Sequence, residues 1–186
     1  MIDDVNTKLI SRASTRNLMA IVLQDPWLFN GTIKENIKYG NSSASDEMVV
    51  DAARKAGVHD YIESLDNGYE TIIEVGSKNI SLGQRQMITI ARALLVDAPV
   101  IILDEATSSL DVVTEQEIQR VFTTIMKEKT SFFIAHRLNT VIDSDIILVM
   151  KEGRLVEQGD HRTLMSAKGF YYKLYMSQQT NDNSSE

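Results

Sequence analysis

The stretch VIILDEATSSLD, Val100 to Asp111, decides the fold class of this 186-residue chain. It begins with a short run that is apolar on both faces, as a buried parallel strand requires. The run ends in two adjacent carboxylates and a polar turn, and a helical pattern follows. Strand-like and helix-like segments alternate through the rest of the sequence. This pattern predicts an α/β protein with an open, mainly parallel sheet, whose ligands lie at the carboxyl ends of the strands.

Hydrophobic periodicity and helix-end signals predict further elements on both sides of this stretch. Before it we predict a strand over Ala20 to Gln24, helices between Lys34 and about Leu65 that use Ser45 as a cap and Gly57 as a stop, and a helix from Leu82 to Leu95. After it we predict a helix from Thr114 to Lys127, a strand at SFFIAH, a short helix from Leu138, a strand at DIILVM, a hairpin that turns at Glu152-Gly153, and a helix through FYYKLYMSQ.

The composition narrows the class of protein. The formal net charge of -7 argues against a general nucleic-acid binder, which presents a basic face. The absence of cysteine excludes disulfides and zinc sites built on thiolates. The longest apolar runs are far too short to span a bilayer. We therefore expect a globular domain that reaches a membrane, if it works there, through a partner or another segment.

Asp104 and Glu105 are the first candidate site residues, because they stand at the end of the predicted buried strand. A strand end can aim Asp104 at a magnesium ion, and the adjacent Glu105 can orient or deprotonate an attacking water. The plainer interpretation is a pair of solvated acids at a strand end.

Two further polar residues end predicted strands. His136 ends SFFIAH at the edge where the carboxylates lie, and could contact a terminal phosphate or the catalytic water. Gln24 ends AIVLQ and could ligate magnesium through its carbonyl oxygen. A structural histidine and an exposed loop amide are the alternative interpretations.

The stretch NISLGQRQ, Asn79 to Gln86, stands at the start of a predicted apolar helix. Ser81 and Gln84 have the spacing of a capping box. The free N–H groups, the dipole and the serine hydroxyl at such a helix start also make an anion site. Gly83 would let the backbone approach a phosphate closely. The spacing alone leaves both interpretations open, a well-capped helix and a phosphate site.

In their order along the chain, Gln24, SLGQ, IILDEATSSLD and AHRL resemble the motifs of the ATP-binding cassette (ABC) transporter family. The resemblance covers nearly the whole chain, and WLFNGTIKENI and the ending GRLVEQGDHRTLM are most similar to bacterial exporter subunits of the multidrug or lipid type. It implies a P-loop NTPase-like fold, in which a mainly parallel sheet has helices on both faces and an inserted α-helical lobe docks on a transmembrane domain.

The resemblance also implies a role for each motif. Glu105 would be the catalytic base and His136 the switch histidine. Asp104 of Walker B and Gln24 of the Q-loop would serve Mg²⁺. The residues that would contact ATP belong to the signature motif, the Q-loop and the D-loop, and are Ser81, Gly83, Gln84, Gln24 and Asp111.

The same resemblance divides the chain into four segments. Residues 1–28 would be a remnant of the nucleotide-binding core, and 29–95 the helical lobe with the signature motif. Residues 96–179 would be the core with Walker B and the switch histidine. The polar segment 180–186 is expected to be a disordered tail.

One departure from the family pattern concerns the phosphate-binding loop G-x-x-x-x-G-K-[ST], whose backbone amides and lysine cradle phosphates. None of the nine glycines is followed by lysine, so the sequence contains no such loop. We expect that the chain starts inside the domain, without its N-terminal strands. Weak ATP binding and negligible hydrolysis by this polypeptide alone follow from that expectation, as does an uncovered apolar sheet surface that invites self-association.

A second departure is Leu82, which stands where the signature motif of the family has glycine. Leucine adds bulk beside a phosphate and removes the backbone freedom of glycine. The leucine fits an exporter of two different subunits in which one of the two ATP sites is weakened. A homodimer that tolerates the substitution is the alternative.

Three functions are compatible with these observations. The first is an ATP-hydrolysing module of an exporter at the cytoplasmic face of the membrane, with ATP and Mg²⁺ as its cofactors. Its partners would be a second nucleotide-binding domain and a transmembrane domain, and not nucleic acid. The second is a non-catalytic truncated chain that pairs with a full module as a binding or regulatory partner. The third, a chromosome-maintenance or repair ATPase, is disfavoured because no long coiled-coil heptads interrupt the domain.

Overall fold

A computed structural model describes residues 5–6, 8, 10–74, 79–104, 111–135 and 138–182. The chain divides into two compact units, Met1–Ile134 and Ala135–Glu186. This boundary falls inside the segment 96–179 that the sequence assigns to one core, and the finer division into lobes stays a prediction. None of the helices in the described residues is long and apolar enough to cross a membrane.

The first unit alternates strands and helices. Its elements in chain order are α1 (Arg12–Asn17), β1 (Met19–Val22), β2 (Gly31–Thr32), α2 (Ile33–Lys38), α3 (Asp46–Lys55), α4 (His59–Glu63), a 3₁₀ turn (Gly68–Glu70), β3 (Ile72–Ile73), α5 (Leu82–Val96), β4 (Val100–Asp104), α6 (Val112–Glu128) and β5 (Thr130–Ile134). The strand predicted at VIILD has these same bounds, and the helix predicted from Leu82 ends one residue later than expected.

Strands β1, β4 and β5 form a parallel sheet in the order β1-β4-β5. Val22 of β1 pairs with Leu103 of β4, and Leu103 pairs with Phe133 of β5. Strands β2 and β3 form a separate antiparallel pair. The α/β class with a parallel sheet is therefore confirmed.

The two faces of this sheet differ in burial. Val22 and Leu103 belong to a buried cluster to which α5 and α6 also contribute. On the opposite face, Ile21 and Phe132 flank Ile102 in register and are 55% and 54% exposed. An apolar sheet surface is thus exposed among the described residues, as expected from the sequence.

Side-chain caps fix the starts of α2 and α3. Thr32 and Glu35 form a capping box at the start of α2. Ser45 caps α3 by accepting the N–H of Met48, as predicted. Gly57 follows α3 with a φ of +74°, which is the conformation that ends many helices and that glycine adopts without strain.

The second unit contains a 3₁₀ turn (Leu138–Val141), β6 (Ile147–Lys151), β7 (Arg154–Gly159), α7 (His161–Ala167) and α8 (Phe170–Asp182). Strands β6 and β7 pair antiparallel, and the turn residues Glu152 and Gly153 have φ values of 51° and 74°. The hairpin predicted at these two residues is confirmed.

Helix α8 extends further than the sequence pattern indicates. It reaches Asp182, so the first three residues of the segment 180–186, which was expected to be disordered, are helical. Thr180 Oγ1 donates to the carbonyl of Met176 one turn earlier, at 2.9 Å, and this local bond suits a polar residue inside a helix. Residues 183–186 lie outside the described part of the chain.

Candidate functional site

The carboxyl ends of β1 and β4 bring two of the candidate residues to one edge of the sheet. Asp104 is the last residue of β4 and is half-buried. Gln24 is exposed and follows the end of β1 by two residues. Because Val22 pairs with Leu103 in parallel register, the two strands end at the same level.

This edge offers ligand atoms that Mg²⁺ takes in proteins. Asp104 supplies a carboxylate and Gln24 an amide oxygen, and Mg²⁺ is commonly bound through one or two carboxylates together with waters and substrate phosphates. The described residues contain no cluster of three His, Cys, Asp or Glu side chains. Glu105 and His136, which the sequence places at the same edge, lie outside the described residues.

The start of α5 is a capping box, as the spacing of Ser81 and Gln84 predicts. Ser81 Oγ accepts the N–H of Gln84 at 3.2 Å, and Gln84 Oε1 accepts the N–H of Ser81 at 2.9 Å. The next two N–H groups, of Leu82 and Gly83, have no acceptor among the described residues. Together with the hydroxyl hydrogen of Ser81 and the positive end of the helix dipole, these donors can hold an anion.

Gly83 brings a second helix start close to this one. It is buried, and a Cβ built on it would lie 2.2 Å from Cγ2 of Thr114 in the first turn of α6. The sequence suggests that Gly83 allows close approach of a phosphate. The structure shows that its missing side chain also makes room for α6.

Asp111 caps α6 at this junction. Its Oδ1 accepts the N–H of Thr114 at 3.0 Å. This backbone N–H holds the pKa of the Asp111 carboxyl below its usual value, because it stabilises the charged form. An ionised carboxylate therefore stands at the start of α6, which contacts the start of α5 through Gly83.

Three polar side chains that the sequence analysis did not single out lie between α5 and the segment that follows β1. Asn36 and Gln86 are 0% and 4% exposed, and Arg92 is half-buried. Gln86 and Arg92 donate hydrogen bonds to backbone carbonyls on either side of Gln24. Only Arg92 has a signal in the sequence, as a charged residue inside the apolar helical run MITIARALL, whereas Asn36 and Gln86 have polar or charged neighbours.

The rings of Trp27, Phe29 and Tyr39 form a cluster beside these residues, which we call the aromatic patch. Their ring centres are 5.6 to 6.1 Å apart, and Trp27 and Tyr39 are 56% and 65% exposed. The guanidinium of Arg92 lies 5.7 and 5.4 Å from the ring centres of Trp27 and Tyr39. Exposed aromatic residues with arginine are typical of protein interfaces.

Comparison with known proteins assigns the family. The family model described as ABC transporter matches residues 1–108, which is more than half of the chain. The chain belongs to the ABC transporter family. The resemblance carried by its motifs is therefore confirmed, and the ABC relatives place it among exporter ATP-binding proteins.

Two curated relatives illustrate the match. The uncharacterized ABC transporter ATP-binding protein YfiC of Bacillus subtilis is 49% identical over 178 residues, which cover 96% of this chain and 30% of that protein. The ATP-dependent lipid A-core flippase of Syntrophus aciditrophicus is 46% identical over 187 residues, which cover 100% of this chain and 31% of that protein. The chain thus spans about 30% of the length of these ABC relatives.

A solved structure of a bacterial Atm1-family ABC exporter with ATP bound is similar to this ABC chain. The TM-score is 0.83 and the sequence identity 41%, over 91% of this chain and 30% of that one. The mixed α/β fold is accordingly that of the nucleotide-binding module of ABC exporters.

Proposed function

We propose that the chain belongs to an ATP-hydrolysing module of an ABC exporter, and that the start of its α5 contacts the γ-phosphate of ATP held by a second module. The observation that carries the proposal is the capping box of Ser81 and Gln84 in a chain of this family. The box fixes the helix end before any ligand arrives, so the N–H donors of Leu82 and Gly83 need no rearrangement to bind a phosphate.

Hydrolysis of ATP is mainly a matter of positioning and charge neutralisation. Asp104 and Gln24 would hold Mg²⁺ through oxygen atoms, and the ion would supply positive charge that neutralises the phosphates. Glu105 orients the water that attacks the γ-phosphorus and accepts its proton as the bond to the ADP oxygen breaks. His136 supports the γ-phosphate.

The nucleotide contact is shared between two modules. Ser81, Gly83 and Gln84 face ATP on the partner, and Asp111 belongs to the same surface because its helix start contacts Gly83. Leu82 is 43% exposed in the first turn of α5 and adds bulk to this surface. A pair of unlike modules, in which this chain forms the weaker signature contact, is the arrangement that fits it.

The helical lobe is the proposed contact to the transmembrane domain. The aromatic patch, in which Trp27 adjoins Phe29 and Tyr39 of this lobe, offers exposed apolar area next to the segment that carries Gln24. A membrane partner bound there would hold the module at the cytoplasmic face and would receive the motion that ATP binding and hydrolysis produce.

Calorimetric titration of the purified chain with Mg-ATP, with phosphate release assayed in the same sample, tests the part of the proposal that concerns the chain alone. Because no glycine is followed by lysine, the sequence supplies no phosphate loop. We expect no strong binding heat and no release above the buffer rate. Tight binding would mean that this chain holds nucleotide without such a loop, and the assignment of roles would have to be rebuilt.

A non-catalytic partner is the second candidate function, and the same missing loop favours it. Such a chain would pair with a complete module and supply only the α5 start. The rate of ATP turnover by the pair distinguishes the two functions when this chain carries Glu105→Gln. A rate lower than that of the pair with the unchanged chain indicates a hydrolytic role of this chain. An unchanged rate indicates a binding role.

A further inference from the structure

Helix α5 holds the backbone on both sides of Gln24. Gln86 Nε2 donates to the carbonyl of Leu23 at 3.3 Å, and Arg92 Nη1 donates to the carbonyl of Trp27 at 2.9 Å. The two donors are six residues apart in the helix, which is about 9 Å along its axis. The loop that carries Gln24 is therefore attached to α5 at two separate points.

The second attachment is reinforced by Asn36. Arg92 Nε donates to the Asn36 carbonyl at 2.8 Å, and its Nη2 donates to Asn36 Oδ1 at 3.1 Å. The amide of Asn36 also accepts the N–H of Phe29 at 3.0 Å and donates to the Phe29 carbonyl at 3.1 Å. This network fixes the chain just beyond Trp27 to α2 as well as to α5.

The chemistry of these side chains suits a rigid attachment. The planar guanidinium of Arg92 presents several donors in a fixed fork, which lysine cannot reproduce. Burial lowers the pKa of Arg92 from its ordinary value, and its hydrogen bonds to Asn36 and Trp27 compensate for the lost hydration. Buried Gln86 loses its acceptor, the carbonyl of Leu23, if the loop moves away, so release of the loop leaves an unsatisfied donor.

We propose that Gln86 and Arg92 are positioning residues that couple Gln24 to the start of α5. The proposal rests on the functions proposed above for Gln24 and Ser81. A 15-residue helix moves as one body, so a displacement of its first turn, which Ser81 caps, is carried to the Leu23 and Trp27 carbonyls. The signature contact to a partner's nucleotide thus changes the position of Gln24 in this chain's own site.

Distance measurements between spin labels test this coupling in the free chain, without nucleotide. The chain has no cysteine, so Gln24→Cys and Leu82→Cys give a unique label pair that joins the loop to the start of α5. Arg92→Lys keeps the charge but loses the fork, and Gln86→Met keeps the length but loses the donor. Each lost bond should raise the population of released loop conformations about tenfold, which broadens the distance distribution of the labels.

Two substitutions on α6 provide matched controls. Arg120 and Gln116 are exposed on that helix, and Arg120→Lys and Gln116→Met should leave the distribution narrow. A purely structural contribution of Gln86 or Arg92 would lower the thermal midpoint and leave the distribution at low temperature unchanged.

Broadening in the two α5 variants, but not in the controls, supports the proposal. An unchanged distribution in both folded α5 variants overturns it, as does equal broadening in the controls. If one α5 variant fails to fold by circular dichroism, the other decides. Because the measurement needs no ATP, a failure here is separate from a failure of the proposed nucleotide function.

Discussion

Substitution of Gly83 by alanine tests the contact between the starts of α5 and α6. The new Cβ would lie 2.2 Å from Cγ2 of Thr114, so the two must separate by about 1.2 Å to reach the 3.4 Å of an ordinary contact. Overpacking of this kind costs about 1–3 kcal/mol, and the better helix propensity of alanine offsets up to about 1 kcal/mol. We expect a net loss of about 1 kcal/mol in the free energy of unfolding.

Thr114→Ser is the matched background for this experiment, because it removes Cγ2 alone. The remaining Cβ and Oγ of residue 114 would lie 3.4 and 3.5 Å from the new Cβ, which is ordinary contact. In that background Gly83→Ala should cost less than half as much in urea denaturation. An equal loss in both backgrounds would refute the close approach of the two helices at this point.

The double variant of Gly83 and Thr114 also separates packing from phosphate binding. If the stability of this variant is normal but it no longer binds nucleotide that a partner module holds, Gly83 contacts the phosphate as well as α6. If both properties are normal, the glycine at this position serves packing only.

Three further results are expected. Asn36→Ala should lower the free energy of unfolding by about 3 kcal/mol in urea denaturation, because it leaves buried backbone groups without a hydrogen-bond partner. A loss below about 1 kcal/mol would contradict the hydrogen-bond network of Asn36. The N–H groups of Tyr171 and Phe170 hold the pKa of Glu157 below its usual 4.5, so its stabilisation is complete above about pH 5 and is lost as the pH falls through the folded-state pKa. Glu157→Gln should therefore reduce the drop in thermal midpoint between about pH 6 and pH 3, and an equal drop in both proteins would argue against the cap. Phe132→Lys places a charge on the exposed sheet face and should shift the sedimentation coefficient of the chain toward that of a monomer. An unchanged sedimentation coefficient would mean that this face takes no part in self-association.

The sequence predicts best where a local pattern decides the structure. The apolar run at Val100–Leu103 predicts a strand from a local pattern, although the structure buries only its Ile101 and Leu103 face, and Ser81 with Gln84 defines a helix start through residues only three positions apart. The hairpin at Glu152 and Gly153 is local in the same sense. Each of these predictions is confirmed.

The sequence gives little warning of contacts between distant segments. Arg92 reaches Asn36 and Trp27 across 56 and 65 positions, and Gln86 reaches Leu23 across 63. Periodicity places these polar residues in a helix but cannot name their partners. The packing of α6 against Gly83 is likewise a contact between distant segments, which the sequence does not predict. A glycine in a phosphate-binding motif also has a local explanation, so the sequence gives no reason to look for a second one.

Complementation of a disabled partner tests the central claim most directly. The partner is the nucleotide-binding module of the Bacillus subtilis relative YfiC, in which the residue that aligns with Ser81 is changed to arginine in order to prevent ATP turnover by its own pairs. We predict that equimolar addition of this chain restores phosphate release and that the Ser81→Arg variant does not. Sedimentation of the same mixtures confirms that both variants associate with the partner. Equal restoration by the two chains, or none by the wild type in an assembled pair, would contradict the claim that the start of α5 holds the γ-phosphate of a partner's ATP.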